Sequence, residues 1–500
     1  MVDFVLLYTQ PLCCCEKITI FAIDKVEKLN HLTIYCMLIR FSVENFLSFK
    51  DRVTFSMLPG KGMLKKEHKA DAVNGVRVLK TSVVFGANAS GKSNLIKAMA
   101  FGKRMIIEGT PSNMPIEYSK FRLDVECLNK PSRMEYEIQI LNKNYAYGFV
   151  FNNELILEEW LYEISKKGEV KIYERIQQDN IFDINYLLKQ QDKEEERQFL
   201  NFLCKATPNN QLFLHEILTR KVKSNVTNIR DLELVLSWFI TTLTIIFPSD
   251  KYKQGIKLMA ADNDKLKQYY SGLLKYFDTG IETICLQTVK EEKQTIPSEL
   301  LERIKMDLLK QDDENSRVLL TNQRDSYIIS LDNKSKGSER LKLKVQKFMT
   351  QHAVSGDSKN AYFDIADESD GTNRIIDYIP LIIDLIRGNK VFLVDEMERS
   401  LHPNLIYDIF DIFLSNCDGV NSQLIVSTHE SSLLTQKLLR KDEIWFIVKD
   451  GRGVSHIHSL EDYNIRFDKE IRKDYLLGRY RGVPRLGDRQ NLDSLFDIKK

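Results

Sequence analysis

Residues 86–93 read Gly86-Ala87-Asn88-Ala89-Ser90-Gly91-Lys92-Ser93 and follow directly on the apolar run Val83-Val84-Phe85. The octapeptide fits G-x-x-x-x-G-K-[ST] in full, and its setting is the one the pattern requires: a strand ending at Phe85 and a helix expected from Asn94 to Ile107. In such a turn, successive backbone N–H groups and the positive end of the helix face an anion. Gly86 to Asn94 are therefore expected to line a nucleotide site. Lys92 is placed to reach the β- and γ-phosphates, and the Ser93 hydroxyl to ligate Mg2+. A chance match in a glycine-rich loop would lack partners farther along the chain.

Partners are present. Lys390-Val-Phe-Leu-Val-Asp395-Glu396 is an apolar strand ending in two carboxylates. A buried parallel strand of this Walker B kind delivers Asp395 to the Mg2+ sphere and Glu396, as general base, to the attacking water. Read alone, it is a strand running into an exposed acidic turn. Leu424-Ile-Val-Ser-Thr428-His429 is a further strand, ending on a histidine placed to hydrogen-bond the γ-phosphate.

Glu368-Ser369-Asp370-Gly371-Thr372 precedes the apolar stretch Ile375 to Ile386, expected to be a helix interrupted at Pro380. Its plain reading is a helix N-cap. N–H groups at a helix start also bind anions, and its position one helix before the Walker B strand matches the LSGGQ element of ABC ATPases. No Asn-Lys-x-Asp occurs, so guanine specificity has no support.

Taken together, Glu368-Ser-Asp-Gly-Thr372, Val394-Asp-Glu-Met-Glu-Arg-Ser-Leu-His-Pro403, Ser427-Thr-His-Glu430 and Tyr475-Leu-Leu-Gly-Arg-Tyr-Arg-Gly-Val-Pro484 resemble the AAA-labelled, ABC-type ATPases of bacterial abortive-infection and anti-phage defence systems. That family resembles the RecF and SMC heads in fold. The resemblance covers Met37 to Arg485 and implies ATP and Mg2+ as cofactors and head-to-head pairing of two copies. Ser369, Asp370, Gly371 and Thr372 of one copy would close on ATP held by the other's P-loop, with Ser400, Leu401, His402 and Pro403 as the D-loop connecting the two sites. It also implies a separately encoded effector, such as a Toprim-type nuclease. No glutamine can be assigned to the Q-loop; Gln139 lies in a strand and reads as structural.

The fold class expected is α/β: an ABC-type P-loop head with an antiparallel β meander and a mainly helical insertion domain. Residues 1–36 read as an N-terminal extension, because the regular pattern begins at Met37, which is the expected start; an ordinary variable arm is the alternative reading. Residues 37–176 form an N-terminal lobe with the P-loop and four meander strands, Tyr136 to Leu141, Tyr145 to Phe151, Leu155 to Ile164 and Val170 to Ile176. Residues 177–325 read as the helical insertion, 326–485 as the C-terminal lobe, and 486–500 as a polar tail. The apolar run Leu234 to Phe247 is shorter than the ~20 residues of a membrane span and reads as a buried helix.

With 72 basic against 70 acidic residues in 500, the formal charge of +2 forecasts no general attraction to polyanions. Two basic stretches, Lys334 to Lys347 and Arg472 to Arg485 with Tyr475 and Tyr480 interleaved, leave nucleic acid open as a partner, against the plainer reading of solvated faces. The eight cysteines show neither a disulfide framework nor zinc spacing, and no signal peptide is apparent, so a cytoplasmic protein is expected. Only about 70 residues follow His429, too few for an added Toprim domain. Arg452 and His458 match a loose R-x5-H spacing but lie across an expected hairpin. Two roles remain in view: a sensor or scaffold ATPase with a separate effector, and a RecF/SMC-like DNA-repair or DNA-organising ATPase.

Overall fold

The computed structural model describes residues 5–9, 36–220, 228–252, 258, 260–261, 263–289, 296–310, 316–321, 325–332, 342–356, 360–463 and 470–483. The chain divides into two compact units whose segments alternate along the sequence. One comprises Thr33–Pro248, Gly388–Glu398 and Phe410–Lys500; the other comprises Met1–Leu32, Ser249–Arg387 and Arg399–Ile409.

The first unit is built on a six-stranded sheet in the order Leu243–Ile246, Val391–Val394, Gln423–Ser427, Thr81–Phe85, Ile444–Lys449, Ser455–Ser459. The first five strands are parallel and the last is antiparallel to its neighbour. Thr81–Phe85, Val391–Val394 and Gln423–Ser427 are buried at every position, as a parallel sheet covered on both faces demands. Their register sets Val394 and Val83 on either side of Val426, so the three strands end at one level. Helix Lys92–Ile107 follows Thr81–Phe85 and begins two residues earlier than expected.

A second sheet in this unit has seven antiparallel strands, in the order Val53–Ser56, Cys36–Glu44, Ser132–Ile140, Lys143–Phe151, Ile156–Ser165, Gly168–Ile176, Ile181–Asp183. The four strands expected of the meander are its last but one and the three before it. Gln423 ties the two sheets together: its amide accepts from Leu38 N at 2.6 Å and donates to the carbonyls of Leu38 and Leu79 at 2.9 Å each. Phe41, Tyr136, Tyr147, Trp238 and Phe239 are among the buried side chains of this core. Gln139 is fully buried and donates to Val76 O and Asn144 Oδ1, a structural placement.

The second unit holds a sheet in the order Val5–Thr9, Arg317–Thr321, Ser326–Leu331, Leu343–Ala353, Ile281–Thr288, with Asn360–Asp364 also paired to the C-terminal half of Leu343–Ala353. Val5–Thr9 and Cys36 of the N-terminal extension thus take part in sheets, while 1–4 and 10–35 lie outside the described residues. Helices do dominate 177–325, but this stretch is not one body: it contributes to both units, divided at Pro248 and Ser249.

Two expectations require correction. Leu234 to Phe247 is not one helix; helix Arg230–Ser237 passes through a π turn, Trp238–Thr242, into the edge strand Leu243–Ile246 of the parallel sheet. The β-branched residues of Thr241-Thr-Leu-Thr-Ile-Ile246 favour extended backbone, and pairing with Val391–Val394 uses it. Pro380 does not interrupt the helix after Glu368, which runs unbroken from Asp370 to Arg387. Its missing N–H loses one backbone bond, but Ile375, Ile376, Ile379, Leu381, Ile382 and Leu385 are buried on either side and hold the helix through packing.

Candidate functional site

Ligands of open α/β sheets bind outside the carboxyl ends of the strands. Three adjacent strand ends meet there in this protein. From the first, Phe85 runs into the P-loop, where two glycines are dictated by space. A Cβ on Gly86 would lie 2.4 Å from the Ile447 carbonyl oxygen, and one on Gly91, at φ +115°, 2.4 Å from Ser455 Oγ. The loop is braced from outside. Ser455 Oγ donates to the Ser90 carbonyl at 2.6 Å and sits 2.8 Å from Ser48 Oγ, which also accepts from Asn94 Nδ2 at 2.8 Å. Gly86→Ala is expected to displace the loop, since a carbonyl of the neighbouring strand cannot yield, and to weaken nucleotide binding by about tenfold or more, at a strain of ~1–3 kcal/mol. Titration with ATP checks this.

Lys92, 5% exposed, folds back over the loop. Its Nζ donates to the carbonyls of Gly86 (2.8 Å) and Ala87 (3.3 Å) and to His429 Nε2 (2.9 Å). An ammonium can only donate, so His429 Nε2 accepts and the ring is neutral. Burial, then the adjacent Lys92, holds the His429 pKa below its ordinary value. Burial also brings Lys92 down to about 8, against the opposing pull of Glu398, Asp395 and Glu396.

Phosphate favours the charged lysine, so polyanion binding raises this pKa again. Affinity for ATP is thus expected to be greatest below about pH 8 and to fall above it, by at most tenfold per pH unit, as each binding event takes up a proton. Calorimetry at pH 8.5 in two buffers of different ionisation enthalpy measures that uptake.

The second strand end supplies carboxylates. Ser93 Oγ donates to Asp395 Oδ1 at 3.1 Å, and Ser427 Oγ donates to the same oxygen. Asp395 N–H donates to the Ile246 carbonyl at 2.9 Å, so the edge strand that the sequence concealed fixes the Walker B end from the other side. Glu396 has φ +48°, a left-handed backbone that costs a non-glycine residue about 1–2 kcal/mol. Its N–H is held by Ser427 Oγ at 3.1 Å. Such strain is retained where the surroundings enforce it, and it turns the Glu396 side chain out of the strand's alternation. The third end carries His429, whose N–H donates to Glu398 Oε1 at 2.6 Å.

Two hard oxygen donors side by side, Ser93 and Asp395, suit Mg2+, which keeps several waters and takes few protein ligands. Among the described residues, no cluster of three or more His, Cys, Asp or Glu offers another metal site.

Ser369 to Thr372 belong to the other unit. Ser369 Oγ accepts from Thr372 N–H at 3.1 Å, the N-cap arrangement, at the start of an 18-residue helix. Glu368 accepts from Thr350 Oγ1 at 2.5 Å and is 2.8 Å from His352 Nε2. Ser400 has φ +65°, and a Cβ on Gly371 would lie 3.0 Å from its carbonyl oxygen, so the turn at 369–372 packs closely on the turn at Ser400. His402 Nδ1 accepts from Asn404 N–H at 3.3 Å before helix Pro403–Ser415, and Leu401 is buried.

The structure pairs Lys92 with His429 and Ser93 with Asp395 by hydrogen bonds at these three neighbouring strand ends. Sequence reasoning missed Glu398, Ser427, Ser48 and Ser455. Glu398 and Ser427 stand inside motifs that had been singled out; the two bracing serines carry no sequence signal.

The basic stretches look different in three dimensions. Lys347 bridges Asp325 and Asp364 at 2.8 Å each, and 333–341 lie outside the described residues. Tyr475 and Tyr480 are buried, stacked against Phe446, and Tyr475 OH donates to the Gly482 carbonyl at 3.1 Å. Neither ring is presented for a base to stack on. Arg452 and His458 fall in the hairpin expected there, Ile444–Lys449 with Ser455–Ser459.

Comparison with known proteins places this arrangement in context. Solved structures to which the chain is similar include the SmcHead bound to the C-winged helix domain of ScpA, at 11% identity and a TM-score of 0.35, covering 84% of this chain and 97% of that one. The SMC head domain from Thermotoga maritima has 9% identity and a TM-score of 0.34, covering 84% and 98%. The Smc head domain of Pyrococcus furiosus, with an extended coiled coil and bound to the C-terminal domain of ScpA, has 13% identity and a TM-score of 0.28, covering 89% and 100%. No curated protein sequence matches. A family match spans residues 82–200 and 286–435, more than half of the chain, and includes the P-loop, Ser369 to Thr372, the Walker B strand and His429. The chain thus belongs to the AAA-type ATPase family described as "AAA domain, putative AbiEii toxin, Type IV TA system".

Proposed function

We propose that this protein hydrolyses ATP in a site completed by a second copy of itself, and that it serves as sensor or scaffold in a bacterial defence complex whose effector is a separate protein. The observation that carries the catalytic part is the meeting of Lys92, Ser93, Asp395 and His429 at three adjacent strand ends. The P-loop N–H groups and Lys92 hold the phosphates, and Ser93 and Asp395 hold Mg2+. The metal, when bound, neutralises charge on the β- and γ-oxygens. Glu396 takes the proton of the attacking water, and His429 donates a hydrogen bond to the γ-phosphate once Lys92 turns from it to the nucleotide and the ring's single proton is exchanged through water from Nδ1 to Nε2.

The shared site is supported by the capped helix start at Ser369 to Thr372, its order before the Walker B strand, and its close packing on Ser400. Its N–H groups suit the γ-phosphate of ATP on a partner copy. The defence role is supported by the family's description as a toxin–antitoxin component. No helix among the described residues is long and apolar enough to cross a membrane, in keeping with the proposed cytoplasmic setting.

The alternative, a RecF/SMC-like DNA-organising ATPase, draws less support, because the tyrosines of the second basic stretch are buried and Lys347 is paired. Affinity purification of the natively expressed protein tests the choice. Recovery of the neighbouring gene product with it, and ATP turnover unchanged by DNA ends, is expected. Purification alone, with turnover stimulated by DNA ends or gaps, would favour the alternative.

A further inference from the structure

Beyond the two carboxylates of the Walker B strand, the chain places a third beside the same site. Glu398 stands two residues after Glu396, and its Oε1 accepts the His429 N–H at 2.6 Å. Its other oxygen, Oε2, is buried and has no hydrogen-bond partner. A buried carboxylate oxygen left unmade is costly, and such groups persist in folded proteins where a donor arrives later or where the group holds something in place. Around it the contacts form a chain: Glu398 to the His429 backbone, the His429 ring to Lys92, and Lys92 to the Gly86 and Ala87 carbonyls. Of the three carboxylates near Lys92, Glu398 exerts the strongest charge effect on it.

We infer that Glu398 is a positioning residue for His429: its carboxylate pins the backbone from which the imidazole reaches first Lys92 and then the γ-phosphate. Glu398 touches no reacting atom in this role, which separates it from Glu396. Oε2 is buried and unpaired and so can take a donor, and fixing both oxygens would stiffen the turn at Thr428 and His429. The inference rests on the ATPase reading given above.

Two conservative variants separate geometry from charge. Glu398→Gln keeps the reach and an acceptor oxygen for the His429 N–H but loses the charge; Glu398→Asp keeps the charge but is one methylene short. Steady-state ATPase assays with Mg2+ are expected to show Gln within about threefold of wild-type kcat and Asp reduced by roughly 10- to 100-fold, with KM little changed in both, since small misplacements at a reacting centre have effects of that size. His429→Ala combined with Glu398→Asp is expected to be no slower than His429→Ala alone, the signature of one residue acting through another. The reverse order, Asp near wild type and Gln impaired, would show that charge rather than positioning matters and overturn the inference, as would additive losses in the double variant. If instead wild-type protein releases no phosphate from ATP, or Glu396→Gln turns over normally, it is the ATPase reading that fails.

Discussion

Lys92→Ala is expected to abolish ATP binding while leaving the protein folded. The side chain is almost wholly buried and satisfied only by two loop carbonyls and a neutral imidazole, none of which compensates an ammonium as phosphate does. Its depressed pKa is the sign of that unfavourable setting. Removing it therefore costs the empty protein little. The complex, by contrast, loses charge-assisted hydrogen bonds to two phosphates, each worth about 1.5–3 kcal/mol, so affinity should fall by roughly a hundredfold or more. Calorimetric titration with Mg2+ and ATP, beside a thermal melt within a few degrees of wild type, checks both halves. Binding within threefold of wild type would mean that nucleotide does not occupy this loop.

Glu396→Gln should give the opposite pattern: ATP bound, turnover slowed by about 10²- to 10⁴-fold, and a paired, ATP-held form accumulating. The substitution keeps size and leaves the metal-side pair of Ser93 and Asp395 intact. The left-handed backbone at 396 and its N–H bond to Ser427 are independent of the side-chain charge, so the fold is expected to survive. Size-exclusion chromatography with light scattering in the presence of ATP reads the pairing, and phosphate release reads the rate. Hydrolysis at the wild-type rate would remove Glu396 as the base.

Much of this was legible in the sequence because parallel strands buried on both faces leave an unusual trace. Val391-Phe-Leu-Val394 and Leu424-Ile-Val426 are unbroken apolar runs that change abruptly to polar residues at the sheet's edge, and the proposed site begins at that change. The meander was equally plain, since Asn-Lys-Asn and Lys-Lys-Gly turns punctuate alternating strands. What stayed hidden has definite causes. Leu243–Ile246 lies in an apolar run without period, where helix and buried strand look alike, and only its pairing with Val391–Val394 decides. Pro380 reads as a helix breaker because local rules cannot see the packing that outweighs one lost bond. Ser48 and Ser455 meet across 407 positions and have side chains common everywhere. The division into two interleaved units follows from contacts that no local pattern encodes.

The proposed division of labour between P-loop and Ser369 is tested most directly by mixing two inactive proteins. Lys92→Ala lacks a working P-loop but keeps Ser369 to Thr372; Ser369→Arg has a working P-loop but blocks the helix start that should face a partner's ATP. A mixed pair contains one site with an intact P-loop from the second protein and an intact Ser369 from the first. The account predicts that neither protein alone releases phosphate from ATP and that the equimolar mixture does, at up to about a quarter of the wild-type rate if copies exchange freely. A Ser369→Arg protein that hydrolyses ATP by itself, or a mixture of demonstrably pairing copies that stays as inactive as its components, would contradict it.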